Sequence, residues 1–385
     1  MKRTHRGEFF LKLIWCTTRH FGKDLCATTQ VAIINQLLSL GHKVRVLGPD
    51  VPGERYAWEH VELNQSAMKG KKASSLAKSI AKYLKEINLE EYVVFIDWPL
   101  VRYVSPIFDK NGIRWMCIDR SPPADANLFA KLQRIVWKKA WKMVASSLNG
   151  NGSCIGGMVV SAAHQHLIRN KFSIADERLC ILHAGVNNEL FKPNNFETFG
   201  TPLKMVYHGK MDRNRGILKL VLLLDALENN GIEAELSLIG SGDLDTHLSN
   251  LSKSKPSLTF QKPIPQSDVG NMLQKHQIGF LPMPNIPVWT ISSPLKRSEY
   301  MSSGLLVLGI KHSGHHLPTV SNNLGSYKLF DQQTFVDDSV EQIQKWMKED
   351  NYAELSAEAR LYAEIHLDWS ATTQSLGNVL ESLEE

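Results

Sequence analysis

Apolar residues in this chain follow two patterns that alternate from one segment to the next. A nearly continuous apolar run at residues 11–17 and a segment at 43–47 that alternates polar and apolar residues flank residues 27–40, where apolar residues recur every three or four positions. The run and the alternation are typical of strands, and the longer period is typical of a helix with one apolar face. The pattern therefore predicts a strand, a helix and a strand, the βαβ unit of parallel sheets.

The same alternation continues through the rest of the sequence. Further strands are predicted at residues 92–96, 115–118, 158–161, 203–207, 234–239, 258–260, 278–282 and 305–308. Helices are predicted at residues 66–87, 128–148, 217–228, 353–366 and 368–383. The strand at 203–207, the loop at 208–216 and the helix at 217–228 form the clearest βαβ start. We therefore predict an α/β protein with parallel sheets.

Length and local composition divide the chain into two domains. A chain of 385 residues is long enough for two domains of ordinary size. A polar stretch rich in Asn and Pro follows residue 187 and has the composition of a linker. We assign a Rossmann-like domain to residues 1–190, a linker to 191–202, a second Rossmann-like domain to 203–366 and a closing helix to 367–385.

Charge is unevenly distributed between the two halves. Residues 1–200 contain 28 Lys and Arg against 17 Asp and Glu, a net charge of +11, whereas the remaining residues carry −6. A basic first half predicts an anionic partner, either a phosphate-bearing acceptor, a membrane surface or a nucleic acid.

The helix predicted at residues 128–148 concentrates this charge. It carries a basic row with two tryptophans beside it: Arg134, Lys138, Lys142, Trp137 and Trp141. A basic helix with flanking tryptophans can lie on an anionic membrane surface. The alternative is that both tryptophans pack in the core and the lysines form a solvated face.

The cysteines favour a reducing compartment. Five cysteines are scattered without any C-x-x-C spacing, so neither a zinc site nor a disulfide framework is indicated. No apolar run approaches the length of a bilayer span. We expect a cytoplasmic protein, peripheral at the inner face of the membrane if the basic helix docks there.

Residues 292–304 combine an anion site with a carboxylate. Ser293 and Pro294 end a loop, and the following helix places Lys296 and Glu299 on one face. The first N–H groups of such a helix attract diphosphates, and an acid one turn further in can accept hydrogen bonds from sugar hydroxyls. The alternative is an ordinary capped helix in which Glu299 is only solvated.

This stretch resembles the donor segment of glycosyltransferase family 4, retaining enzymes of the GT-B architecture. The sequence S-S-P-L-K, followed by Glu299 and a glycine at position 304, resembles members of that family. The resemblance implies two Rossmann-like, doubly wound domains whose parallel sheets face each other across a crevice, with the last helix crossing back to the first domain. It also implies that Glu299 holds the ribose of a sugar nucleotide. The family's first glutamate falls at Ile291 here, which leaves the sugar undefined.

The loop at 208–216 resembles the family's diphosphate clamp. Its two cations would be Lys210 and Arg215, with lysine and arginine exchanged relative to the family pattern. The alternative is a pair of solvated loop cations. The resemblance also places the nucleotide base against Ile264. Together it implies the following donor-binding residues: Gly209, Lys210, Arg215, Gly242, Ile264, Ser293, Pro294, Leu295, Lys296 and Glu299.

Acceptor-side residues are expected at two strand ends of the first domain. Gly22 follows the first strand, and Asp119 and Arg120 follow the strand at 115–118. Ligands of parallel α/β sheets collect beyond the carboxyl ends of the strands. The resemblance implies that a polar residue near this strand end faces the reacting sugar, so Asp119 joins Lys210 and Arg215 as a catalytic candidate. The plain alternative for Gly22 is a structural turn.

With these features, the resemblance implies a retaining transfer of sugar from a nucleoside diphosphate to an acceptor hydroxyl. The acceptor would be a glycan that is lipid-linked or bears phosphate, rather than a nucleic acid. We expect no cofactor and no metal, because the lone D-x-D pair, Asp243 and Asp245, is not a metal position in the family. Two alternatives are a catalytically silent binding subunit and a sugar-nucleotide 2-epimerase. A nicotinamide enzyme is disfavoured because no G-x-G-x-x-G follows a strand.

Overall fold

The structure, a computed structural model, describes residues 10–21, 27–49, 56–68, 70–120, 123, 128–319 and 324–383. The chain divides into two compact units. The first comprises Met1–His183 together with Thr373–Glu385, and the second comprises Ala184–Thr372.

The first unit contains a seven-stranded parallel sheet in the order β3-β2-β1-β4-β5-β6-β7. Its strands are β1 (Lys12–Cys16), β2 (Lys43–Gly48), β3 (Glu59–Glu62), β4 (Tyr92–Asp97), β5 (Trp115–Ile118), β6 (Cys154–Val159) and β7 (Leu179–Ile181). Its helices are α1 (Ala27–Ser39), α2 (Lys72–Tyr83), α3 (Trp98–Lys110), α4 (Leu128–Asn149) and α5 (Ala162–Phe172). The middle strands are buried along nearly their whole length, as their continuous apolar sequences predict.

The second unit contains a six-stranded parallel sheet in the order β10-β9-β8-β11-β12-β13. Its strands are β8 (Leu203–Lys210), β9 (Ala234–Ser241), β10 (Leu258–Gln261), β11 (Ile278–Leu281), β12 (Leu306–Ile310) and β13 (Tyr327–Phe330). Its helices are α6 (Ile217–Asn229), α7 (Asp245–Ser254), α8 (Gln266–Leu273), α9 (Pro287–Thr290), α10 (Leu295–Ser302), α11 (Phe335–Glu349) and α12 (Tyr352–Tyr362), which a π-helical turn, Ala363–Leu367, follows. The last helix, α13 (Trp369–Glu381), begins in this unit and ends in the first.

Each sheet reverses its strand order next to its first strand. The reversal lies between β1 and β4 in the first sheet and between β8 and β11 in the second. This is the doubly wound order of the Rossmann fold, so the structure confirms the predicted fold class. At such a reversal the two loops that leave the strands run to opposite faces of the sheet. The gap between them is the usual ligand position of this fold.

The reversal in the first sheet is organised by Asp97, at the end of β4. Its Oδ2 accepts hydrogen bonds from the Thr17 hydroxyl and the Thr18 N–H, both at 2.9 Å, and its Oδ1 accepts one from the Gln30 side chain at 2.7 Å. Burial raises the pKa of Asp97, while Arg19 and these donors oppose the rise. The carboxylate thus fixes the start of the loop that leaves β1.

One helix prediction for the first unit is corrected. The helix predicted at 66–87 is shorter, Lys72–Tyr83, because the residues before it fold back beside it. The Ser66 N–H donates to the Ser75 hydroxyl at 2.7 Å, and the Ser79 hydroxyl donates to the Asn64 carbonyl at 3.0 Å.

The tryptophans of α4 do not form a surface anchor. Trp137 and Trp141 are 4% and 0% exposed and belong to the core of the first unit. The interpretation in which both rings pack inward is therefore correct. None of the helices in the described part of the chain has the length and apolar character needed to cross a membrane.

The turn before α6 requires glycine. Gly216 has a φ of +76°, and a Cβ there would lie 2.1 Å from the Pro282 carbonyl oxygen. Gly231 has nearly the same φ, +75°, but nothing lies within 4 Å of the Cβ position. An alanine at either position would carry the same backbone strain, but only an alanine at 216 would also overlap a neighbouring atom.

We predict that Gly216→Ala lowers the free energy of unfolding by about 3 kcal/mol and Gly231→Ala by about 1 kcal/mol. Both substitutions place alanine at a positive φ, but only the first also displaces the Pro282 backbone. Urea unfolding followed by tryptophan fluorescence measures the difference. Equal losses in the two variants would show that the overlap at Gly216 relaxes without cost.

Candidate functional site

The predicted donor-binding residues lie at one edge of the second sheet. Gly209 and Lys210 end β8 and Arg215 follows it, while Gly242 follows β9 and Ile264 follows β10. Ser293, Pro294, Leu295, Lys296 and Glu299 come after β11 and form the entrance and first turns of α10. Because all these strands are parallel, their carboxyl ends share an edge. The structure thus brings the ten residues to one edge.

An arginine and a tryptophan meet across the strand reversal of this sheet. The guanidinium carbon of Arg215, after β8, lies 4.5 Å from the ring centroid of Trp289, after β11. The Trp289 indole N–H donates to the Asn214 carbonyl at 3.2 Å, and Arg215 Nε lies 3.5 Å from Asp212 Oδ2. Stacking on an aromatic ring restrains the planar guanidinium and leaves a rigid fork of donors for an anion.

Lys296 adds a second cation at the same place. Its Nζ lies 5.2 Å from the Tyr207 ring centroid and 3.3 Å from the position that a Cβ on Gly209 would occupy. Because Gly209 has no side chain, the Lys296 ammonium group can lie close to the backbone at this position. Burial and the neighbouring charge of Arg215 lower the pKa of Lys296 to about 8, although Glu299 opposes them.

The start of α10 is held by a buried arginine. Arg297 is 1% exposed, and its guanidinium donates to the His316 carbonyl at 2.6 Å and to the Ser293 hydroxyl oxygen at 3.2 Å. The Ser293 oxygen also accepts the Ala184 N–H at 2.9 Å. Pro294 is the N-cap, so the N–H groups of Leu295 and Lys296 have no partner within the helix. These groups and the two cations can bind an anion together.

Glu299 is a buried carboxylate rather than a solvated one. It is 4% exposed, with Oε2 lying 3.1 Å from Nε2 of His208 and Oε1 accepting a hydrogen bond from the Gln266 side chain at 3.1 Å. Burial alone would raise the pKa of Glu299. His208, Gln266 and the charge of Lys296 outweigh burial, and the pKa lies below its ordinary value. The site therefore keeps a charged acceptor of hydrogen bonds.

The remaining predicted donor residues are more open. Lys210 is exposed at the end of β8, and Ile264 is half-buried in the loop between β10 and α8. The Gly242 N–H donates to Asp245 Oδ1 at 2.7 Å. Asp245 Oδ2 also lies 2.7 Å from the Lys262 ammonium, and Asp243 Oδ1 accepts the Arg213 N–H at 2.9 Å. Both aspartates of the D-x-D pair are thus engaged in shaping this turn.

Asp119 of the first unit lies in a buried cluster. It is fully buried, and its Oδ2 accepts hydrogen bonds from the indole N–H groups of Trp137 at 2.5 Å and Trp141 at 2.9 Å. His164 Nε2 lies 3.3 Å from the same oxygen. His164 Nδ1 accepts the Val160 N–H at 3.4 Å. Oδ1 has no hydrogen-bond partner among the described residues.

The other two acceptor-side candidates are less informative. Arg120 is half-buried and donates to the Leu182 carbonyl, which ties the end of β5 to the segment after β7. Gly22 lies outside the described residues.

Sequence reasoning missed several side chains that complete these sites. His208, Gln266 and Trp289 contact predicted residues in the second unit, and His164 contacts one in the first. One signal was available for Trp137 and Trp141, because a buried indole N–H requires an acceptor and Asp119 is the acid at the adjacent strand end. The other contacts join residues distant in sequence, and no local pattern records them.

Comparison with known proteins supports the fold. No protein-family model and no curated protein matches the sequence. Among solved structures, sucrose-phosphate synthase from Thermosynechococcus elongatus aligns with a TM-score of 0.73 at 15% identity, covering 97% of this chain and 99% of that chain. Anabaena HepE, solved in complex with UDP and glucose, aligns with a TM-score of 0.67 at 11% identity, covering 97% and 100%. WaaG, a glycosyltransferase involved in lipopolysaccharide biosynthesis, aligns with a TM-score of 0.64 at 13% identity, covering 95% and 98%. The chain therefore has the two-domain GT-B fold.

We predict that anion binding at this edge weakens as the pH rises through about 8. The Lys296 ammonium is charged below its pKa of about 8 and neutral above it, whereas sulfate keeps its charge over this range. Between pH 7 and pH 9 the sulfate affinity should fall by up to about tenfold, because one proton is linked to binding. Calorimetric titration at several pH values measures the slope.

Lys296→Met should abolish most of this slope, and Lys253→Met, on the exposed face of α7, should leave it unchanged. A slope that is equal in the Lys296→Met variant and the unaltered protein would assign the titration to another group.

Proposed function

We propose that this protein is a retaining glycosyltransferase that moves a sugar from a nucleoside diphosphate to an acceptor hydroxyl. The observation that carries the proposal is the combination at one sheet edge of two converging cations, Arg215 and Lys296, with the buried, charged carboxylate of Glu299. The two cations suit the negative charge of a diphosphate, and the carboxylate of Glu299 suits the two hydroxyl donors of a ribose. The bound UDP and glucose of HepE, which shares the fold, support this class of donor.

The cations would stabilise the leaving group. When the bond from the anomeric carbon to the diphosphate oxygen breaks, negative charge grows on the departing phosphate. Arg215, Lys296, the exposed Lys210 and the first N–H groups of α10 are fixed charges and dipoles that could receive it. In the proposed reaction, the acceptor oxygen bonds to the anomeric carbon on the face that the phosphate leaves. Because the new bond forms on the face that the phosphate leaves, the configuration is retained, and the departing phosphate takes the acceptor proton.

The acceptor would bind at the first unit, on the side where β5 ends. Asp119 is the catalytic candidate there, with Oδ2 held by the two indole N–H groups and Oδ1 without a partner among the described residues. We propose a lipid-linked or phosphate-bearing glycan as the acceptor, because the first half of the sequence carries the net positive charge. WaaG, a structural neighbour, is named for lipopolysaccharide biosynthesis.

Incubation with a panel of sugar nucleotides tests the proposed reaction. We expect release of free nucleotide that depends on an added glycan acceptor, with no requirement for added metal. Isomerised donor without acceptor would indicate a 2-epimerase instead. Binding without turnover across the panel would indicate a silent subunit.

The Arg215→Ala variant tests whether Arg215 stabilises the leaving diphosphate. The kcat should fall by about 100-fold or more, with a smaller effect on donor binding, because the charge develops in the transition state. Arg213→Ala is the matched control, since Arg213 is exposed in the same turn. Full activity of Arg215→Ala, or activity lost with EDTA and restored by Mn²⁺, would contradict this account of the leaving group.

We further propose that α4 docks on an anionic membrane surface at the cytoplasmic face. The two tryptophans point inward, but Leu132 and Ile135 are 55% and 63% exposed. Four exposed lysines surround them: Lys131, Lys138, Lys139 and Lys142. Apolar residues rimmed by lysines suit a surface with acidic headgroups, where each lysine contributes about 1 kcal/mol.

Reversing charge on this helix should weaken binding to phosphatidylglycerol vesicles. Lys138→Glu combined with Lys142→Glu should reduce the partition coefficient by about 30-fold or more. Lys78→Glu combined with Lys82→Glu is the matched control, because these lysines are also exposed and one helical turn apart in the first unit. Sedimentation at about 0.05 M and about 0.5 M salt measures the screening. Equal binding to neutral vesicles, or no binding at low salt, would contradict the proposal.

A further inference from the structure

His208 stands next to the glycine that admits Lys296 and faces the buried carboxylate. It occupies the third position from the end of β8, and its side chain is 15% exposed. Its Nε2 lies 3.1 Å from Glu299 Oε2, and its backbone N–H donates to the Tyr300 hydroxyl at 3.2 Å. The His208 and Tyr300 rings meet edge to face, with centroids 5.3 Å apart. The imidazole is therefore restrained from two directions.

A second donor holds the other carboxylate oxygen. Gln266, the first residue of α8, donates its side-chain N–H to Glu299 Oε1 at 3.1 Å. A carboxylate only accepts hydrogen bonds, so the His208 nitrogen that faces it carries a proton. Glu299 is thus contacted by two side chains from two different elements of the same edge, His208 of β8 on one oxygen and Gln266 of α8 on the other.

The carboxylate has acceptor positions left for a ligand. Its two oxygens offer about four acceptor positions; the Gln266 hydrogen bond occupies one on Oε1, and His208 Nε2, 3.1 Å away, faces one on Oε2. One acceptor position on each oxygen remains, which is the number required by the two neighbouring hydroxyls of a ribose. A carboxylate without these donors could rotate about its last bond and would lose that pairing.

We propose that His208 and Gln266 are positioning residues that orient Glu299 and thereby make the site selective for ribonucleoside over deoxyribonucleoside diphosphates. The proposal rests on the function proposed above. It adds a role for two residues that act through Glu299. A residue that only supported the fold would affect ribose and deoxyribose ligands equally.

Calorimetry with uridine, guanosine and adenosine diphosphates identifies the tightest ligand, which is then compared with its 2′-deoxy analogue. We expect the unaltered protein to prefer the ribose form by about tenfold or more. His208→Phe should weaken binding of the ribose form by about tenfold and change the deoxy form by less than about threefold. Gln266→Leu should act in the same direction. His208→Gln, which keeps an N–H donor, should restore most of the selectivity.

Two controls separate positioning from folding. His247→Phe alters an exposed histidine of α7 and should leave both affinities unchanged. In a Glu299→Ala background, His208→Phe should have little further effect, because the group it positions is gone. Thermal unfolding of each variant identifies any that is misfolded, and Gln266→Leu then carries the test in place of His208→Phe.

The outcomes distinguish the two levels of the proposal. If the unaltered protein binds no nucleoside diphosphate, the proposed function fails and this inference falls with it. If it binds them, but His208→Phe and Gln266→Leu weaken the ribose and deoxyribose forms equally, or His208→Gln fails to rescue selectivity, the inference alone is overturned.

Discussion

The donor edge of the second unit depends on keeping the carboxylate of Glu299 charged although it is only 4% exposed. An unpaired buried charge would cost several kcal/mol, so the fold must supply donors for it. His208 at the end of β8 and Gln266 at the start of α8 contact the carboxylate directly. Lys296, which lies on α10 with Glu299, contributes through its positive charge. The parallel register of the sheet makes this supply possible, because it places these segments at one edge.

The first unit uses related chemistry at its own strand ends. Asp97 receives hydrogen bonds from the loop after β1, and Asp119 receives two indole N–H groups from one helix. Asp97 is hydrogen-bonded on both oxygens, whereas Asp119 has its described donors on a single oxygen. This difference marks Asp119, rather than Asp97, as a carboxylate with capacity left for another group.

Much of the fold and part of the site could be predicted from sequence because local patterns determine them. The strand, loop and helix around Arg215, and the turn into α10 before Lys296, follow from apolar periodicity and from Ser and Pro at the helix start. The contact of His208 with Glu299 could not be predicted, since it joins residues 91 positions apart through a strand register that the sequence does not reveal. The inward orientation of Trp137 was only partly indicated, because a tryptophan suits both a membrane surface and a core, and Asp119 as an acceptor for its N–H was the one signal for the core.

The path of the chain has a consequence for how the two units could be separated. The backbone passes from the first unit to the second after His183 and returns after Thr372, within α13. The second unit is therefore an insertion within the first, and limited proteolysis at the first crossing alone would leave the halves covalently joined. The folded second unit limits the distance between its two chain ends, residues 184 and 372. The final segment of α13 is therefore kept at a high effective concentration near the rest of the first unit. The final segment of α13 is thus retained by the folding of a unit to which it does not belong.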